Sequence, residues 1–120
     1  MKRTPLAAMA AWAVAGSAAT AATMTCSFTR ECVETESCAE TRYAVSVEDM
    51  QPDGRAVTLV TDSDTLRGTV IETDGPLHMI FTGDSAVHLL TTRPGGAARL
   101  SVHMPGPMAV GYHGTCEAPS

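Results

Sequence analysis

Apolar and polar residues alternate along most of the chain. Ala98, Leu100, Val102 and Met104 share one parity, while Arg99, Ser101 and His103 share the other. Met108, Val110 and Tyr112 alternate with Ala109, Gly111 and His113, and Tyr43, Val45 and Val47 alternate with Ala44, Ser46 and Glu48. A period of two is the mark of a half-buried β-strand, because successive side chains point to opposite faces. Turn-forming clusters punctuate these runs: Gln51-Pro52-Asp53-Gly54, Asp62-Ser63-Asp64, Asp74-Gly75-Pro76, Gly83-Asp84-Ser85, Arg93-Pro94-Gly95-Gly96 and Pro105-Gly106-Pro107. Their spacing of about ten residues is that of a sandwich or barrel.

Eight strands are predicted, at 23–29, 41–48, 55–61, 66–72, 77–82, 86–92, 97–104 and 108–116. Short connections make sequence neighbours spatial neighbours. The expected fold is therefore all-β: an antiparallel up-and-down meander closed into a barrel or flattened barrel, which removes exposed strand edges. Two strands are ambiguous in facing, since Val57 and Leu59 oppose Val60, and Val70 opposes Ile71. The polar stretch Glu31 to Arg42 reads as a tied loop.

The first residues break the alternation. Lys2 and Arg3 precede an uncharged apolar run from Pro5 to Ala15, and Ala19-Thr20-Ala21 fits a small-x-small cleavage site. This three-part layout predicts a signal peptide at 1–21 and a single β-barrel-like domain at 22–120. The apolar run is too short to cross roughly 30 Å of hydrocarbon, so no stable membrane insertion is expected after cleavage. Export predicts a periplasmic or secreted protein.

Cleavage changes the charge. The full chain carries 8 Lys and Arg against 13 Asp and Glu. The 99 residues after the signal keep only Arg30, Arg42, Arg55, Arg67, Arg93 and Arg99, for a net charge of −7. This balance argues against nucleic acid and suits a cationic protein as partner, although solubility alone would also explain it.

Cys26, Cys32, Cys38 and Cys116 allow three pairings, and an exported small domain predicts two disulfides. Parity favours one pairing. Cys26 shares a face with Met24 and Phe28, and Cys116 with Met108, Val110 and Tyr112. Both should point inward and meet if the first and last strands pair, which leaves Cys32 to Cys38. The spacings match neither a zinc site nor a redox pair.

His78, His88, His103 and His113 fall on four consecutive predicted strands, each beside apolar residues of the opposite parity. All four are expected outside. Hairpin register then sets His88 opposite Ile80 and about opposite Ser101, diagonal to His78 and His103, with His113 near Arg99. His78, His88 and His103 are thus the candidate copper or zinc ligands of a weak surface site, against the simpler reading of solvated polar positions. No nucleophile elbow, zinc-protease motif or phosphate loop is present, so neither catalysis nor a cofactor is expected. Glu34, Glu36 and Glu40 form a small acidic cluster near the Cys32–Cys38 loop.

Three places carry a resemblance: Met24-Thr25-Cys26-Ser27-Phe28 with Glu31-Cys32 and Cys38, the hairpin from His88-Leu89-Leu90 to Ala98-Arg99-Leu100, and Met108-Ala109-Val110 followed by Tyr112-His113-Gly114-Thr115-Cys116-Glu117. With these the chain resembles a set of small, functionally uncharacterised secreted proteins of alphaproteobacteria, from which no functional residue carries over. Its layout is also similar to that of periplasmic inhibitors of c-type lysozyme, a likeness of architecture only. The function expected is that of a non-enzymatic binding module. A lysozyme-type inhibitor, a metal-binding protein and a small-ligand carrier are the alternatives.

Overall fold

A computed structural model describes residues 21–52, 54–71 and 74–119. The signal peptide expected at 1–21 lies, but for its last residue, outside the described residues. Eight strands follow one another: β1 (Ala22–Val33), β2 (Ala39–Met50), β3 (Ala56–Val60), β4 (Thr65–Ile71), β5 (Leu77–Thr82), β6 (Val87–Thr92), β7 (Ala97–Met104) and β8 (Met108–Cys116). Each pairs antiparallel with the next, and β8 returns to β1 to close the barrel. The expected all-β meander is the observed fold.

One stretch differs. Most of the expected loop from Glu31 to Arg42 is strand, and only residues 34–38 turn. A shift in register between Phe28 and Arg30 re-aims β1, which then continues against both neighbours. Glu31 faces Ala39 on β2 and Tyr112 on β8, while Cys32 faces Gly111. Such a bulge adds one residue and bends the strand, so a polar segment without clean alternation can still pair.

The inner face is built as parity predicts on most strands. Phe28, Val47, Leu59, Met79, Phe81, Leu90 and Leu100 are fully buried and fill the barrel. Burying one such side chain contributes roughly 1.5–3 kcal/mol. Each core phenylalanine packs over a glycine of the adjacent strand. Phe81 faces Gly68, where an added Cβ would meet Ile80 O and the Phe81 ring. Phe28 faces Gly114, where it would meet Ser27 O. The absent side chain makes room for the Phe81 ring at Gly68 and for the close approach of the β1 backbone at Gly114.

Both expected disulfides are present. Cys26–Cys116 crosslinks β1 to β8 across 90 residues of sequence, and Cys32–Cys38 clamps the β1–β2 turn. Disulfides of this kind persist in oxidising compartments.

Strand β6 corrects the sequence reading. Val87 and Leu89 were expected inside, but they are 44% and 38% exposed, while His88 is only 8% exposed. His88 pairs with Phe81 rather than Ile80, and with Val102 rather than Ser101. The slip is one residue on each side, and one residue exchanges the two faces of a strand. The turns set it: Gly83 N donates to Ala86 O, and Arg93 N to Ala97 O. These bonds place Leu90 between Met79 and Leu100 at the barrel centre.

Candidate functional site

An up-and-down barrel sorts its loops into two sets. The terminal end holds the start of β1, the finish of β8 and the β2–β3, β4–β5 and β6–β7 loops. The far end holds the β1–β2, β3–β4, β5–β6 and β7–β8 loops, residues 34–38, 61–64, 83–86 and 105–107. Glu34, Glu36, Asp62, Asp64 and Asp84 all lie in this second set, which contains no lysine or arginine. Arg55 and Arg93 belong to the terminal end. The far end is therefore uniformly acidic, and the loops that make it so are each held. Glu34 Oε1 accepts from Ala109 N at 2.8 Å, and its own N–H donates to Ala109 O. Thr61 N donates to Asp64 O, while Asp64 N donates to Thr61 Oγ1 at 3.0 Å.

Beneath these loops lies an aromatic layer. Phe28, Tyr43 and Tyr112 pack together, with the two tyrosine rings 4.7 Å apart. Tyr43 hydrogen-bonds Thr61, and Tyr112 reaches the Glu31 carboxylate. Burial is the first cause that raises the pKa of both hydroxyls; nearby carboxylates add to it. Both therefore stay protonated at neutral pH.

Between the β3–β4 and β5–β6 hairpins a cleft of about 350 Å³ opens, lined by Asp64, Arg67, Thr82, Asp84, Ser85 and His88 among others. His88 stands in its inner wall. Its Nδ1 is buried and has no hydrogen-bond partner. Burial pushes its pKa down, and the Asp64 carboxylate opposes that only in part. An orphaned buried nitrogen costs stability.

The three candidate metal ligands are not brought together. His88 is inside, whereas His103 is exposed on the outer face and His78 lies outside with Nδ1 2.7 Å from Thr91 Oγ1. Among the described residues no group of three His, Cys, Asp or Glu side chains is placed to hold a metal ion. The carrier reading needs room in the barrel, but its axis is occupied by side chains. A second cleft, of about 610 Å³, opens at the terminal end around Met24, Leu77, Thr92 and Gly96.

The acidic end as a unit was missed in the sequence, where only Glu34, Glu36 and Glu40 stood out as a cluster. The signal was available: in a meander every second turn falls at the same end, and three alternate turns contain acids. No protein family, curated protein or solved structure matches the chain.

Proposed function

We propose that this protein is an exported, non-enzymatic binding module that engages a cationic protein through its acidic end. One observation carries the reading: the four loops at that end present five carboxylates and no basic side chain. A single-sign surface steers an opposite charge and makes its binding sensitive to salt. The cleft beside His88 carries two carboxylates, Asp64 and Asp84, against one guanidinium, Arg67, so a cationic side chain would enter it next to Asp64 and Asp84. Two disulfides and the signal-like N-terminal sequence support a periplasmic or secreted site of action.

Inhibition of a basic lytic enzyme is the specific form of this function most open to assay. Binding to c-type lysozyme and to a lysine-rich peptide is measured at low and at physiological salt. Binding is expected at low salt, weakened by added salt. It should fall about tenfold in a variant carrying Glu36→Gln, Asp62→Asn and Asp64→Asn. Binding to neither probe at low salt removes the cationic partner. Binding without loss of lysozyme activity keeps the partner class and discards the inhibitor.

A further inference from the structure

The outer wall of β7, β8 and β1 has the opposite character to the acidic end. In cross-strand register Arg99 on β7 faces His113 on β8, which faces Arg30 on β1. Neighbouring strands lie about 4.8 Å apart, so the two arginines start roughly 10 Å apart with the histidine between them. Arg99 Nη2 donates to His113 Nε2 at 3.1 Å. Neither guanidinium forms an ion pair with a carboxylate among the described residues. Two of the six arginines of the acidic domain thus converge on one histidine, with Glu40 of β2 across from Arg30 as the nearest carboxylate in register.

The same wall is hollow. A groove of about 550 Å³ runs along β8 from His113 past Gly111 to Ala109, flanked by Ser101 and by Cys32 of the β1–β2 clamp. Gly111 forms its floor, and a Cβ added there would meet nothing within 4 Å. Other charged groups sit at its margins. Glu34 is held by Ala109 N–H at the far end, Glu40 stands beside Arg30 on β2, and His103 is exposed on β7.

We propose that this groove binds a dianionic oxyanion, a sulfate or phosphate ester group, between Arg30 and Arg99, with the rest of the ligand lying over Gly111. Paired guanidiniums suit such an anion because they offer planar, charge-assisted donor forks. Protonation of His113, which turns Nε2 from acceptor to donor and releases it from Arg99, adds a third positive charge, which favours a dianion over a single carboxylate. Without an anion His113 is held below its usual pKa, by desolvation first and then by Arg99 and Arg30. A bound dianion reverses the electrostatic part of that effect, so binding takes up a proton and tightens as pH falls through the histidine range. The groove shares Glu34 with the acidic end, but neither proposal requires the other.

The test is an NMR titration of the disulfide-intact protein with sodium sulfate, and separately with glycerol phosphate, at constant ionic strength. Sodium acetate is the control. Saturable shifts are expected at the amides of Ser101, Gly111 and His113, with the His113 pKa moving up. Acetate should leave them in place. Arg30→Ala and Arg99→Ala should each weaken binding about tenfold. Gly111→Leu should abolish it while leaving the unfolding midpoint near that of the parent, and His113→Asn should flatten its pH dependence. Saturation by sulfate or phosphate carries the proposal, and the tighter of the two assigns the ester. Unsaturable shifts, equal binding of acetate, or indifference to both arginine substitutions overturns it.

Discussion

The barrel has a covalent side and a packed side. Strands β8, β1 and β2 are 9, 12 and 12 residues long and hold both disulfides and three stacked rings. Strands β4, β5 and β6 are 7, 6 and 6 residues long and have no crosslink. This second side shows Ile71, Val87 and Leu89 to solvent and encloses His88, whose Nδ1 has no hydrogen-bond partner among the described residues. Its cohesion comes from the strand ladders and from Leu66, Met79, Phe81 and Leu90, with Val70 and Leu77 packed against them. The contrast separates two ways of holding a small sheet. Where crosslinks supply stability, the outer surface is free to carry charge. Where packing supplies it, each buried contact matters more and local opening is easier. The cleft beside His88 sits on the side without a crosslink.

The largest effect should come from the seam. Replacing Cys26 and Cys116 together by alanine releases a loop closed across 90 residues and should lower stability by about 4–5 kcal/mol in urea unfolding. The Cys32 and Cys38 pair, 6 residues apart, should cost only about 2 kcal/mol. Equal losses would break the account of the seam. A smaller effect distinguishes the two sides by location. Gly68→Ala and Gly114→Ala each drive a Cβ against backbone, and each should cost roughly 1–3 kcal/mol. Hydrogen exchange should quicken in β4–β6 for the first and across β8–β1 for the second. Identical patterns would mean that the barrel opens only as a whole.

The smallest effect concerns His88. Burial lowers its folded pKa, so the unfolded chain takes up a proton at a higher pH than the folded one does. Stability from the neutral ring is fully present above the unfolded value, about 6.5, and is lost as pH falls from there through the lowered folded value. His88→Leu should gain on the order of 1 kcal/mol at neutral pH by removing the orphaned nitrogen. It should also lose less stability than the parent on acidification. A steeper acid loss in the variant would reverse the sign assigned to this residue.

How much of this was readable in the sequence depended on the strand. Residues 98–104 alternate without exception, so one facing fits and it is the one observed. Parity also brought Cys26 and Cys116 together, because each shares a face with long apolar neighbours. In β6 the run Val87-His88-Leu89-Leu90 puts apolar side chains at both parities, and its facing is decided by hydrogen bonds in the flanking turns. Local pattern holds no record of that choice. The histidine cluster failed for this reason, since it required a register that was free to slip by one. The cationic wall escaped notice because Arg30 reaches its row only through the bulge after Phe28. The acidic end was legible in principle, once alternate turns are assigned to one end.

The pairing of the first strand with the last has a consequence for biogenesis. A nascent or truncated chain lacking β8 leaves β1 with a bare edge from Cys26 to Val33. It also leaves Cys26 as a thiol free to cross-react. The sheet cannot complete its ring until β8 has been made and has met β1, so closure waits for the last of the eight strands.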